Sequence, residues 1–194
     1  MYLFFDTETN GLPKKWGAPM TDIDNYPRII QLAWALVSEH GEIISERKEL
    51  IKPDNWTIPN EKFWIDNGYS TLINEEYGLP LDEVLEDFIS DLEEAELLVA
   101  HNIDFDYPVT GAEMLRYKKR AKKKLPHFCT MKSSTHICNI PHANGRGVKF
   151  PKLEEAHEFF LGTGFDGAHD AGNDVQACIN VFFKMKELGH VCTK

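Results

Sequence analysis

Tyr2-Leu3-Phe4-Phe5-Asp6-Thr7-Glu8-Thr9-Asn10-Gly11-Leu12 is the stretch around which the chain is organised. Four apolar residues form a short buried-strand pattern that runs directly into two carboxylates. Side chains alternate along a strand, so Asp6 and Glu8 point to the same side of the sheet. Two like charges held that close repel each other and resist burial. A divalent cation makes the arrangement favourable, because hard oxygen ligands on one face suit Mg²⁺ or Mn²⁺. Asn10-Gly11 supplies the turn that ends the strand. An exposed strand end with solvated acids would show the same Asp-x-Glu, so the pair needs partners elsewhere in the chain.

The 194 residues read as one domain, 1–194, with a substantial core. An apolar fraction of 42% and a charged fraction of 27% are ordinary for a globular protein. No apolar stretch approaches the roughly 20 residues that span a bilayer, so no membrane partner is expected. The N-terminus lacks the pattern of a signal peptide. Cys129, Cys138, Cys178 and Cys192 show no paired spacing and read as reduced thiols of a cytoplasmic protein. The net charge of −10 argues against coating duplex nucleic acid by bulk electrostatics. It leaves open an enzyme that meets phosphates through metal ions.

Along the chain, residues 13–27 form a loop in which Trp16 and Met20 either cover a site or pack down. Arg28 to Ser38 reads as a strand buried on both faces, 39–42 as a hairpin turn, and Ile43 to Lys52 as the returning strand, which completes an antiparallel meander. Glu61 to Ile65 and Thr71 to Glu76 are short helix candidates. Pro80 sits in the first turn of a clearer helix, whose apolar stripe is Leu81, Val84, Leu85, Phe88, Ile89 and Leu92. Leu97 to His101 is a second buried strand. A helix follows from about Val109, with Asp106 near its start, where an isolated Asp is usually an N-cap, and Pro108 in its first turn. That helix ends in Lys118 to Lys124, six cations in seven residues. They read as a solvated helix end, or as the track of a nucleic-acid strand. His127, Cys129, His136, Cys138 and His142 lack the paired spacing of structural zinc sites. Lys152 to Leu161 is a helix with Leu153, Ala156, Phe159 and Phe160 on its apolar side. In the final helix Asp174 falls on the stripe of Ala171, Cys178, Phe182 and Met185, where an acid is costly unless paired or metal-bound. His169 belongs to the loop or first turn before it.

Three pieces then stand in order: Phe5-Asp6-Thr7-Glu8-Thr9-Asn10-Gly11-Leu12, His101-Asn102-Ile103-Asp104-Phe105-Asp106, and His169-Asp170-Ala171-Gly172-Asn173-Asp174. Together they resemble the three exonuclease motifs of the DEDD superfamily, in its histidine branch, to which the DNA polymerase III epsilon subunit, ribonuclease T and oligoribonuclease belong. The resemblance covers Phe4 to about Phe183. The tyrosine branch would carry Tyr four residues before the last Asp, where this chain has Asp170.

The resemblance implies an α/β, ribonuclease H-like fold: a mixed five-stranded sheet, its first three strands antiparallel, flanked by helices. It carries the metal-ligand roles over to Asp6, Glu8, Asp106 and Asp174, and the general-base role to His169. Two Mg²⁺ or Mn²⁺ ions about 4 Å apart would clamp the scissile phosphate. Asp6, Glu8 and Asp174 would hold one, and Asp6 with Asp106 the other. A histidine, with a reference pKa near 6.5, suits a base at neutral pH. Thr7, Thr9, Leu12, His101 and Phe105 would border the terminal nucleotide. The expected activity is a 3′-to-5′ exonuclease on single-stranded or frayed DNA ends, releasing nucleoside 5′-monophosphates. The same chemistry on RNA 3′ ends is the nearest alternative, a non-catalytic nucleic-acid-binding module the next, and a zinc-dependent regulator a distant third. Only 20 residues follow Asp174, so no polymerase-tethering tail is expected. A homodimer is compatible with the family, though no stripe marks an interface. The loop 13–27 and the segment 56–80 look expanded relative to the best-known members.

Overall fold

Five strands form one sheet: β1 (Tyr2–Thr9), β2 (Ile29–Val37), β3 (Ile43–Leu50), β4 (Leu97–Ala100) and β5 (His127–Cys129), in the order β3-β2-β1-β4-β5. The first three pair antiparallel, while β4 and β5 continue the sheet in parallel. The expected meander and mixed sheet are therefore present in this computed structural model, which describes residues 1–191. Cys192 lies outside the described residues, and Cys129, Cys138 and Cys178 are free thiols.

Every residue of β2 is buried, as its unbroken apolar run requires, because helices cover both faces. On one face Leu3 and Phe5 join Leu32 and Trp34 beneath α3 (Leu81–Glu94) and α4 (Ile103–Arg116). On the other, Tyr2 and Phe4 join Ala33 and Ala35 beneath α6 (Leu153–Leu161) and α7 (Ala171–Glu187). Phe182 of α7 meets Tyr2, Phe4 and Phe128 edge-on at 5.2 to 5.4 Å between ring centres. Each such pair adds about 0.5–1.5 kcal/mol to simple burial. The alternation of β1 thus continues into the site: Asp6 and Glu8 fall on the α7 face, Thr7 on the α4 face.

Four local expectations are corrected. α4 begins at Ile103, because Asn102 takes a left-handed φ of 71° and turns the chain straight out of β4 into the helix. Asp106 is therefore an interior, buried position and no N-cap, and Pro108 falls in the second turn. The bond that Pro108 cannot donate belongs to the carbonyl of Asp104, an exposed residue at the helix start, where the loss is small. Pro80 is the cap of α3 and not part of its first turn. The cationic run lies beyond α4 and crosses to α3, whose last turn has no basic residue of its own. There Lys123 Nζ donates to the carbonyls of Glu93 and Ala95 at 3.2 and 2.6 Å, and Lys119 pairs with Glu86. On α6, Phe159 is 52% exposed and His157 is buried in its stead, its Nδ1 bonded to the Thr163 carbonyl.

Two connecting segments are tied down by specific polar contacts. In the 13–27 loop the Asn25 amide brackets the backbone of Lys15 at 2.8 and 3.0 Å. Arg116 holds the loop's far end through the carbonyls of Ile23, Tyr26 and Pro27. In 56–80, α1 (Lys62–Asp66) and α2 (Thr71–Tyr77) dock on the meander, where the Asn74 amide donates to Ile30 and Ile51. Thr130–Cys138 forms α5 after β5. No helix among the described residues is long and apolar enough to cross a membrane.

Candidate active site

The C-terminal half of β1, the start of α4 and the start of α7 converge on a cleft of about 390 Å³. Asp6 and Glu8 enter it from one strand. Asp174 enters from the first turn of α7. Asp106 enters from the first turn of α4, 3% exposed, its Oδ1 accepting the Thr7 amide at 3.1 Å and the Thr7 hydroxyl at 2.7 Å. The one residue of the Asp-Thr-Glu triplet that faces α4 thus fixes the acid that α4 supplies.

His169 hangs over the cleft from the loop before α7. Its backbone is left-handed, with φ 69°. Its amide donates to Asp174 Oδ2 at 3.1 Å, and its carbonyl accepts the Tyr69 hydroxyl at 3.0 Å. The Phe63 ring stands edge-on to the imidazole at 5.3 Å. Asp170 caps α7 through the amides of Gly172 and Asn173 and is paired with Lys48 at 3.1 Å.

The electrostatics are lopsided. Burial pushes the Asp6 carboxyl well above the usual carboxylate range, and Asp106, Asp174, Glu8 and Asp170 all push the same way. Burial raises Glu8 to about 8, with Asp174 and Asp106 adding to it. Burial also raises Asp174, to about 7, against the opposing bond from the His169 amide. Asp106 is raised by burial too, less the help of the two Thr7 donors. A donor set of this kind, hard oxygens without an ion-pair partner among the described residues, fits divalent cations. Among the described residues, Glu8, His169 and Asp174 form a group whose possible ligand atoms lie within 4.8 Å of one another. His127, Cys129, His136, Cys138 and His142 form no such group.

Of the residues expected at the site, Asp6, Glu8, Asp106, His169, Asp174, Thr7, Leu12, His101 and Phe105 all border the cleft. Thr9 does not. Its hydroxyl donates to the Gly11 carbonyl at 2.7 Å, and its carbonyl accepts Trp64 Nε1 at 3.0 Å, so it shapes the turn after β1. His101 borders the cleft but is spent structurally. Its Nε2 meets the Pro151 carbonyl at 3.0 Å and its Nδ1 the Thr130 hydroxyl at 2.9 Å. A carbonyl only accepts, so Nε2 carries the proton and Nδ1 accepts from Thr130. Burial lowers His101 to about 4, which keeps it neutral. Sequence reasoning missed Tyr69 and Phe63, which hold His169, and Lys152, which lines the cleft. Nothing in the local pattern around them signals a site.

The family model described as exonuclease, RNase T, matches residues 3–182. No curated protein matches by sequence. Among solved structures, Exonuclease I of E. coli in complex with a dT13 oligonucleotide aligns with a TM-score of 0.72 at 19% identity, over 97% of this chain and 42% of that one. Its complex with dA16 gives 0.72 and 19%, over 96% and 40%. Exonuclease I of Methylocaldum szegediense gives 0.70 and 20%, over 96% and 40%. This chain spans about two fifths of the length of those proteins and shares their ribonuclease H-like fold. Sheet order and family match agree: the chain is a member of the RNase T exonuclease family.

Proposed function

We propose that the protein removes nucleotides one at a time from the 3′ end of single-stranded DNA, as nucleoside 5′-monophosphates. The observation that carries this reading is the convergence of Asp6, Glu8, Asp106, Asp174 and His169 on one cleft. Asp6, Glu8 and Asp174 would hold one Mg²⁺ or Mn²⁺, and Asp6 with Asp106 a second. Bound there, the ions would stabilise the attacking and leaving oxygens of the displaced phosphate. The chain's own part is positioning and proton transfer. His169 takes the proton of the attacking water. Its ring is exposed enough for water to reach, while its backbone is fixed on both sides. Leu12 and Phe105 offer apolar surface to an unpaired terminal base, a sequence-tolerant contact. DNA is favoured because the Exonuclease I relatives are described with DNA oligonucleotides.

A time course on 5′-labelled, 3′-tailed DNA and matched RNA, in Mg²⁺ or EDTA, tests the reading. The expected result is a one-nucleotide ladder on DNA that needs the metal. In His169→Ala it slows by about 10²–10⁴-fold, the usual contribution of a general base. A faster ladder on RNA overturns the DNA preference. No ladder on either substrate, from folded protein, overturns the exonuclease reading in favour of a binding module.

A further inference from the structure

Two further clefts continue from the acid cleft in series, each sharing lining residues with the one before it. Trp16 borders both the acid cleft and a neighbour of about 480 Å³ between the 13–27 loop and α4. Pro19, Met20 and Tyr107 border both that neighbour and a third cleft of about 610 Å³ farther along α4. On α4 the three are bordered in turn by Phe105, then Tyr107 and Pro108, then Gly111 and Leu115. Phe105, Pro108, Gly111 and Leu115 recur at three- and four-residue spacing and lie on one helix face, which Tyr107, four before Gly111, flanks. Ten helical steps from Phe105 to Leu115 make a row about 15 Å long.

Aromatic rings punctuate the row. Trp16 stands 6.0 Å from Phe105, and Tyr107 stands 4.8 Å from His127. The third cleft is apolar at its base, with Phe5, Phe88 and Leu98, and basic at its rim, with Arg120 and Lys124. Lys119 and Lys123 are engaged with α3, but Arg120 and Lys124 are exposed and have no ion-pair or hydrogen-bond partner among the described residues. Unspent cations beside an apolar cleft stand out on a chain of net charge −10. The distant end of the row is thus complementary to a polyanion with apolar rings.

We propose that the single DNA strand 5′ of the scissile nucleotide runs from the acid cleft along α4, beside the 13–27 loop, to the basic segment 118–124. Bases lodge against the aromatic pairs and phosphates meet Arg120 and Lys124. Phosphate contacts and base stacking are the two terms that hold single strands without reading sequence. At the 3.4 Å spacing of stacked nucleotides the row accommodates about four of them. Substrate length therefore becomes a determinant of affinity. This rests on the exonuclease reading above and adds to it where the rest of the strand lies.

The test separates binding from turnover. In EDTA, a 5′-fluorescein octathymidylate binds the wild type at least fivefold more tightly than Arg120→Glu/Lys124→Glu. For wild type the slope of log affinity against log salt is steeper by about 1.4, the loss of two phosphate contacts on a single strand. In Mg²⁺ the wild type shows kcat/KM rising about tenfold from tri- to octathymidylate, then levelling. In the double variant that rise is lost. Arg120→Ala/Lys124→Ala, with less local disturbance, shows a smaller change in the same direction. Equal octamer affinity and an intact length dependence in the variants overturn the track. Tighter binding of octauridylate than of octathymidylate overturns its assignment to DNA. Inert protein that still binds the octamer through Arg120 and Lys124 supports the track and overturns the exonuclease reading instead.

Discussion

α4 carries two buried acids, Asp106 and Glu113, two turns apart, and the chain treats them in opposite ways. Glu113, fully buried, has Arg28 Nε at 2.8 Å and the Ile29 amide at 3.1 Å on one oxygen, and Arg116 at 3.1 Å from the other. Asp106 has only the neutral donors of Thr7, and the nearby charge that acts on it is that of Asp174. A buried carboxylate that the chain itself balances is structural. One left among other carboxylates is costly until a cation from outside balances it. Burial alone does not tell the two apart; the sign of the surrounding charge does.

Neutralising each acid with its amide should break this symmetry. Asp106→Asn is expected to lower exonuclease turnover by about 10³-fold or more, since a metal ligand contributes several kcal/mol of transition-state stabilisation. The same variant should melt higher than wild type in EDTA. The cleft acids have folded pKa values above their unfolded ones, with Glu8 near 8 and Asp174 near 7. Such groups contribute stability below about pH 4 and lose it as pH rises through 7 to 8. The wild type in EDTA should therefore lose stability between pH 5 and 8 relative to Asp106→Asn. Mg²⁺ should close that gap, because the ion binds the deprotonated acids. Melting curves with and without Mg²⁺ across this range check it. A gap that shrinks with rising pH would reverse the sign and break the comparison.

Glu113→Gln should do the reverse. Removing one partner of a buried ion cluster costs about 3–5 kcal/mol, which for a chain of this size lowers Tm by about 6–20 °C. Turnover per folded molecule below that temperature should stay within about twofold. Calorimetry and single-turnover assays at the same temperature separate the two effects. Loss of turnover in proportion to that in Asp106→Asn would show that Glu113 belongs to the site after all.

The sequence exposes one member of this pair and hides the other for a physical reason. Asp6 and Glu8 are legible because strand alternation places them together whatever the rest of the chain does. Asp174 is legible because an acid interrupts an inward apolar stripe. The buried run of β2 likewise declares a sheet covered on both faces. Glu113 and Arg28 are 85 residues apart, and no period relates a helix position to the start of a strand. Asp106 is legible as a cleft residue by its place after Phe105, yet its local conformation is not. The left-handed Asn102 that starts α4 early leaves no mark beyond an Asn, and Pro108 reads more naturally as a first-turn residue. Thr9 is expected at the terminal nucleotide from the resemblance alone, and no sequence pattern shows that its hydroxyl is taken by the Gly11 carbonyl.

The smallest expected effect concerns how His169 is held, and it sharpens the same distinction between acids the chain balances and acids it leaves unbalanced. Tyr69 lies in the 56–80 segment, 100 residues before His169. Its hydroxyl sits 3.0 Å from the His169 carbonyl and 2.8 Å from Gln31 Oε1, which also accepts the Ala171 amide at 2.8 Å. Gln31 thereby ties β2 to the start of α7, and Tyr69 spans from that tie to the loop carrying His169. Burial, helped by the charges of Glu8 and Asp170, pushes the phenol above its ordinary range, so it stays a donor throughout the working pH. Tyr69→Phe removes this donor while keeping the ring. One hydrogen bond contributes about 1 kcal/mol, so kcat should fall about fivefold with KM unchanged, and Tm by about 2–4 °C. Tyr69 bonds to the His169 backbone carbonyl, so a rise in KM with kcat preserved would place it against substrate and not behind His169. An unchanged kcat would show that the left-handed backbone and the bond to Asp174 suffice to hold the imidazole in place.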